Sequence, residues 1–250
     1  MAEGIVTYVD RIAADATLAA RQHELYVAAI ADAGWAIREV PCADDLPDSA
    51  FVEDTVVVFG DLAVLTRPGA PERRAEVAAT EELLRALGLR IARIEAPGTL
   101  DGGDVLQIGS TVYVGRGGRT NEEGIRQLCG HAAGRGRTVV PVALQGVLHL
   151  KSAVTALPDG TIIGSDTSVL DAASLPAVRR VPESGGSHVV PLGGRTVLMA
   201  ASAPRSAELF EDWGFDVVTV DISEFEKLEG CVTCLSVLIG DSGPRQRELS

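Results

Sequence analysis

Five times along the chain, an apolar, β-branched run breaks at a two-residue turn and then resumes or ends. The runs read TVVVF-GD-LAVLT, DVLQI-GS-TVYVG, KSAVTALP-DG-TIIG, HVVPL-GG-RTVLM and TCLSVLI-GD, with turns at Gly60-Asp61, Gly109-Ser110, Asp159-Gly160, Gly193-Gly194 and Gly240-Asp241. Dipeptides of this kind between strand-like runs are a strong short-range hairpin signal. The turns recur roughly fifty residues apart, with one shorter interval between the third and fourth, and a fixed period of this length points to a repeated supersecondary unit. Helical patterns follow three of the hairpins, over Pro71–Leu87, Thr120–Cys129 and Pro204–Trp213, and strand patterns follow these at Arg90–Ile94, Thr138–Val142 and Asp216–Val220. The third unit has room only for a very short helix. Five ββαβ units at a near-constant period predict an α/β propeller closed on itself, which leaves no exposed sheet edge. An irregular α+β sheet with evenly spaced hairpins is the plainer alternative. No G-x-G-x-x-G follows a strand and no Walker motif occurs, so a dinucleotide-binding crossover sheet is not expected.

The fifth unit is expected to be incomplete. Its first strand would be Thr233–Ile239, and the residues beyond are polar. A helix at Ala13–Ala33 and a strand at Trp35–Val40 would complete it from the other end of the chain. The second hairpin strand would then have to precede Met1.

The chain has 250 residues, 46% of them hydrophobic, enough for one sizeable core, and is read as a single domain over residues 1–250. A net charge of −13 argues against nucleic acid and anionic membrane surfaces as partners. No apolar run reaches the roughly 18 residues of a membrane span, and MAEGIVTYVDR lacks the pattern of a signal peptide. Four cysteines (Cys42, Cys129, Cys231, Cys234) in a chain this long do not resemble a disulfide framework. A reduced, cytoplasmic protein is expected.

Cys231 and Cys234 stand three apart in CVTC. A structural zinc site wants two such pairs, and a thioredoxin-like pair opens a helix, whereas this one leads into the strand pattern LSVLI. Residues three apart on a strand face opposite sides, so the two sulfurs are expected not to share a site. A thiol nucleophile needs a proton carrier. Of four histidines, His149 in GVLHLKSAV is the best candidate, a polar residue at the mouth of an apolar strand; His23, His131 and His188 read as helix-surface, loop and strand-opening residues. Free cysteine and isolated histidine are both commonly buried and inert, and only the combination points to chemistry. Two acidic clusters also precede apolar strands: Asp48, Glu53 and Asp54 in PDSAFVEDTVVV, and Asp101 and Asp104 in LDGGDVL. Either alone is compatible with a solvated turn. In a radial array, corresponding strand mouths converge, and a pocket with several carboxylates favours a cation.

FVED, LTRPGAPERR, LDGGDVL, GRTNEEG, LHLKS and CVTCLSVLI, in this order between about residues 12 and 239, resemble the dimethylarginine dimethylaminohydrolase family of guanidino-modifying enzymes. The resemblance implies the five-bladed α/β-propeller (pentein) fold and hydrolysis of methylated arginine to citrulline with release of methylamine or dimethylamine, without a metal or other cofactor. It implies Cys234 as nucleophile, His149 as general acid/base and Asp101 as the carboxylate orienting it. It further implies Glu53 and Asp54 as guanidinium binders with Asp48 beside them, Arg73 and Arg119 for the substrate carboxylate, and Leu228 and Glu229 at the amino-acid end. The expected partner is a small guanidino molecule; a homodimer stays open. Many relatives carry aspartate where this chain has Glu229, and of their N-terminal strand and lid only AEGI is matched. An arginine deiminase, an amidinotransferase-like enzyme or a guanidine-binding protein without turnover remain alternatives.

Overall fold

The structure, a computed structural model, describes residues 4–41, 43 and 45–240. Cys42 and the polar tail from residue 241, both named above, lie outside the described residues. Helix α1 (Ala16–Asp32) starts at Asp15, whose carboxylate accepts the backbone N–H groups of Thr17 and Leu18, satisfying two donors that a helix start leaves free.

Four similar units follow. The first opens with a 3-10 turn at Val52–Thr55, then β1 (Val56–Phe59), β2 (Leu62–Leu65), α2 (Val77–Ala86) and β3 (Arg90–Arg93). The second has a 3-10 turn at Gly102–Asp104, β4 (Val105–Ile108), β5 (Thr111–Arg116), α3 (Glu122–Ala133) and β6 (Thr138–Ala143). The third has the one-turn helix α4 (Leu150–Ala153), β7 (Val154–Ala156), β8 (Ile162–Gly164), a 3-10 turn at Ala172–Ser174 in place of a full helix, and β9 (Val178–Arg180). The fourth has a 3-10 turn at Ser184–Ser187, β10 (Val189–Gly193), β11 (Thr196–Ala200), α5 (Pro204–Asp212) and β12 (Asp216–Val220). Each unit is an open, three-stranded mixed sheet: an antiparallel hairpin, such as Val56↔Leu65, and a parallel third strand brought back by the crossover, such as Leu62↔Arg90. Gly60, Gly109, Gly160 and Gly194 turn the hairpins at φ of 62°, 56°, 86° and 58°, a region that side chains with a Cβ avoid.

The helices bury one face against their sheets. On α3 the buried set is Gly124, Ile125, Leu128 and Ala132, the i, i+1, i+4, i+8 spacing of a core-facing stripe. Leu128 is fully buried in a cluster with Val64, Val112 and Val114, where truncation to alanine costs about 2–5 kcal/mol.

The C-terminal unit differs from expectation. After α6 (Ser223–Glu226) comes a 3-10 turn at Val232–Leu235, and no strand forms over 233–239 or over 35–40. Among the described residues neither stretch has a ladder partner, and a strand without one leaves its backbone groups unpaired. The turn is instead tied to the N-terminal helix: the Tyr26 hydroxyl donates to the Val232 carbonyl at 2.7 Å and lies 2.7 Å from the Ser236 hydroxyl. α1 packs against the same stretch: Ala19, Tyr26 and Ile30 lie in one cluster with Ile222, Phe225, Leu228 and Val232.

The four units and the C-terminal stretch each place a short helical turn just before an apolar run, and these turns pack against one another in series. The runs that follow, from β1, β4, β7, β10 and residues 236–238, line a common cavity of about 270 Å³. Among the described residues, no helix is long and apolar enough to cross a membrane.

Candidate active site

The five turns carry the buried polar residues. Phe51-Val52-Glu53-Asp54 runs into the first, Asp101 flanks the second and Asp104 lies on it, His149 caps the third, Ser187 ends the fourth, and Cys231 and Cys234 bracket the last. Glu53, Asp54, Asp101, Asp104, His149, Cys231 and Cys234 are all buried. A buried polar group needs a partner, and these groups partner one another.

His149 lies 3.0 Å through Nε2 from Asp101 Oδ2, and its Nδ1 is 3.9 Å from Asp54 Oδ1. Asp101 also accepts the Gly69 N–H at 2.8 Å and faces the Arg119 guanidinium at 3.4 Å. Asp54 accepts the Gly103 N–H at 2.9 Å and a 2.5 Å bond from Arg73 Nη1. Asp104 accepts the Leu150 N–H and the Thr120 hydroxyl, at 2.9 and 2.6 Å, and so pins the chain just after His149. The two glycines of DGGD make this close approach feasible. A Cβ on Gly102 would sit 1.9 Å from the Glu53 carbonyl oxygen, and one on Gly103 would sit 2.7 Å from His149 Nδ1 and 2.8 Å from Asp54 Oδ1.

The electrostatics follow from burial among opposite charges. Burial alone would lower the His149 pKa, but Asp54, the Asp101 hydrogen bond and Asp104 outweigh it and hold the imidazole at about 9. It is an imidazolium at neutral pH. Burial would raise Asp54, but His149 and Arg73 keep its carboxyl well below the usual range. Asp104 is raised to about 6 by burial. The ligand atoms of Asp54, Asp101 and His149 lie within 4.8 Å of one another, close enough to hold a metal ion. Arg73 and Arg119 already supply positive charge there, and backbone N–H groups take carboxylate lone pairs, so the donor set is matched to protein cations.

A second string starts at the other acid of the same turn. Glu53 takes a 2.6 Å bond from Lys151 and a 3.0 Å bond from the Thr233 hydroxyl. Thr233 Oγ1 is 3.2 Å from Cys231 Sγ, which is 3.2 Å from Cys234 Sγ. Burial raises Glu53 to about 7, with Lys151 only partly offsetting it. The sulfur–sulfur hydrogen bond draws Cys231 down and pushes Cys234 up, and burial beside Glu53 and Asp54 pushes Cys234 further up. The resting Cys234 is a thiol. The expectation that the two sulfurs occupy different sites is therefore corrected. It assumed a strand, whereas Val232–Leu235 is a 3-10 turn, and that geometry places residues i and i+3 on the same side.

Other assignments meet mixed outcomes. Arg73 is buried, and its guanidinium bonds Asp54, Glu76 and the carbonyls of Asp48 and Phe51. It anchors Asp54 and has little left for a substrate carboxylate. Arg119 keeps partial exposure beside Asp101. Asp48 accepts the Ile5 N–H at 3.0 Å, and Glu229 accepts those of Thr7 and Tyr8 at 2.6 Å, so both acids face the same N-terminal segment. Glu229 adopts φ 61°, next to buried Leu228. Lys151, Thr233, Thr120 and Gly103 were missed as site residues. Their signal was adjacency to His149, Cys234, Arg119 and Asp101 within the same motifs.

No family model matches the chain. A Streptomyces coelicolor protein named N(G),N(G)-dimethylarginine dimethylaminohydrolase is 58% identical over 238 residues, 95% of this chain and 92% of its own. A Pseudomonas aeruginosa protein of the same name is 35% identical over 231 residues, 89% of each chain. The chain belongs to the dimethylarginine dimethylaminohydrolase family. Among solved structures, an adduct of a dimethylarginine dimethylaminohydrolase with S-methyl-L-thiocitrulline superposes with TM-score 0.87 at 32% identity, covering 94% of this chain and 93% of that one. The α/β fold of small mixed sheets is thus the fold of this family.

Proposed function

We propose that the protein hydrolyses Nω-methylated arginine to citrulline and dimethylamine or methylamine, through a covalent S-alkylthiouronium on Cys234. The observation that carries this reading is the Val52–Thr55 turn. It holds two adjacent carboxylates, Asp54 beside an imidazolium and Glu53 linked through the Thr233 hydroxyl to a thiol pair. A guanidinium bound across such acids has its carbon between an electrophile-activating clamp and a nucleophile.

A cationic guanidine competes with Lys151 for Glu53, and its positive charge lowers the Cys234 pKa as it arrives. The thiol proton passes to solvent, and Sγ attacks Cζ. His149, held protonated, donates its proton to the departing amine, and the C–N bond breaks. The neutral imidazole then takes a proton from water, and the hydroxide adds to Cζ. Collapse expels the Cys234 sulfur, which takes up the proton of the added hydroxyl and returns to the thiol, and leaves the ureido group of citrulline. Asp101 keeps His149 oriented throughout. Arg119, rather than the fully engaged Arg73, meets the substrate carboxylate; Glu229 meets its amino end and Asp48 stands beside the guanidinium binders, each releasing the N-terminal N–H groups it now accepts. No metal or organic cofactor takes part.

We read residues 1–250 as one cytoplasmic catalytic domain and its architecture as a five-bladed ring. Five first runs around a single cavity support the ring, with the last blade reduced to α1 and the 3-10 turn. The test is product detection from asymmetric dimethylarginine: citrulline and dimethylamine in equal amounts are expected. Turnover of unmodified arginine with release of ammonia, and none of the methylated compound, would make the protein an arginine deiminase instead.

A further inference from the structure

Cys231 has no task in the reaction above, yet it is buried and its sulfur touches the nucleophile. The contact is built into the backbone. The Cys234 N–H donates to the Cys231 carbonyl at 3.0 Å, closing the turn, and the Cys231 N–H points back at Cys234 Sγ at 3.4 Å. Cys231 itself is extended, φ −131° and ψ 174°, so its side chain folds over the turn onto residue 234. The sulfurs stand 3.2 Å apart, and a bond of about 2.0 Å requires only side-chain rotation of about an ångström. Cys129, the remaining cysteine among the described residues, is exposed on α3 and belongs to a different unit. The pair is no metal clip either: among the described residues, the group able to hold an ion is the one around His149.

We propose that Cys231 and Cys234 form a reversible dithiol–disulfide couple, oxidised by a peroxide and returned by a small thiol, with Cys231 as the resolving thiol of the catalytic cysteine. Cys234 first gives up its proton; its sulfur then attacks one peroxide oxygen and breaks the O–O bond, and the hydroxide that leaves takes up that proton as water. Sulfur is oxidised by two electrons to the sulfenic acid, and the peroxide is reduced. The Cys231 thiolate then attacks Cys234 Sγ, forms the S–S bond and expels hydroxide, which is protonated to a second water. Two thiols and hydrogen peroxide give one disulfide and two waters. Two exchanges with an external thiol restore the pair. Hydrogen peroxide is smaller than the guanidine that the proposed reaction brings to Sγ, so the sulfur that reacts with substrate is also the one that senses oxidant. Without Cys231 the sulfenic acid has no resolving partner and continues to the sulfinic acid, which thiols do not reverse.

The predicted loss of turnover rests on Cys234 being the nucleophile; the bond itself does not. The experiment treats the full chain with hydrogen peroxide and reads intact mass, the peptide containing residues 231–234, and citrulline formation. Expected is a species 2 Da lighter with the bond inside that peptide, activity lowered at least about tenfold, and recovery of both with dithiothreitol. Cys231→Ser and Cys231→Ala should show no 2 Da loss, gain about 32 Da at residue 234, and stay inactive after dithiothreitol. If wild type accumulates the 32 Da adduct at Cys234 as fast as the two variants and no internal bond forms, the couple is refuted; this arm needs no variant to fold. A 2 Da lighter species with undiminished turnover would establish the bond, refute its control of activity and overturn the assignment of Cys234 as nucleophile.

Discussion

Replacing Asp101 by asparagine separates the charge of the His149 partner from its shape. Asparagine keeps an oxygen for the Gly69 N–H, which now bonds Asp101 Oδ1, but turns an amide NH₂ toward His149 Nε2 and Arg119, both donors. A hydrogen bond to a charged group contributes about 1.5–3 kcal/mol, and about 1.4 kcal/mol corresponds to one pKa unit. Removing the Asp101 bond should therefore lower the His149 pKa from about 9 by about one to two units. Asp54, the larger source of the elevation, stays in place. The opposite choice, removing Asp54, would leave Arg73 Nη1 without its carboxylate partner in the interior and confound folding with catalysis, whereas Arg119 keeps some solvent. In the wild type, kcat should hold up to about pH 9 and fall above it as the imidazolium loses the proton it owes the leaving amine. In Asp101→Asn the descending limb should move to roughly pH 7–8, and the plateau should drop by about 10²- to 10⁴-fold, because the amide favours the wrong imidazole tautomer. The assay is citrulline formation from asymmetric dimethylarginine between pH 5 and 10, with thermal unfolding as the folding control. A limb that stays near pH 9 with an unchanged plateau would refute both the Asp101–His149 pairing and the role of the imidazolium as acid.

Cys234→Ser should abolish citrulline formation under reducing conditions and Cys231→Ser should keep most of it; the reverse result removes the nucleophile assignment. Glu53→Gln should lower kcat/KM for dimethylarginine by clearly more than threefold, equivalent to about 0.7 kcal/mol, with little change in melting temperature; a smaller loss would rule out its part in the guanidinium clamp. Wild-type kcat/KM should also fall below about pH 7 as Glu53 takes up a proton, and Glu53→Gln should flatten that acid limb; a limb that persists assigns the ionisation elsewhere. Gly103→Ala must push His149 and Asp54 apart by a few tenths of an ångström or more, so about a hundredfold loss in kcat is expected, and near-wild-type turnover would show the cluster to be more yielding than its contacts suggest.

Most of the architecture was legible because each unit carries redundant signals. The Gly-containing turns, the apolar alternation on both sides and the amphipathic stretch of α3 all favour the same element, and Thr138–Ala143 and Asp216–Val220 fell within a residue of the expected strands. The last unit lacked that redundancy. Trp35–Val40 and Thr233–Ile239 have the composition of strands, but a strand exists only through its ladder, and composition says nothing about whether a neighbour is present. In the C-terminal unit the bonds from Tyr26 and the packing of α1 decide the backbone, a contact between residues more than two hundred positions apart.

The site shows the same division at finer scale. Side-chain chemistry marked Glu53, Asp54, Asp101, His149 and Cys234 as candidates, since buried acids before apolar runs demand partners. Their pairing depended on convergence of the turns, which a linear pattern only suggests. Arg73 illustrates the gap: the resemblance put it on the substrate, whereas Asp54 and Glu76 leave it inside the protein. An arginine so engaged holds the Asp54 carboxylate ionised and aimed, and that is a precondition for His149 to stay protonated beside it. The same reasoning applies to the thiols. Strand periodicity separated Cys231 from Cys234, and a single 3-10 turn joins them. Whether CVTC acts as one working cysteine or as a pair is thus set by about one turn of backbone, and the peroxide experiment reads that geometry directly.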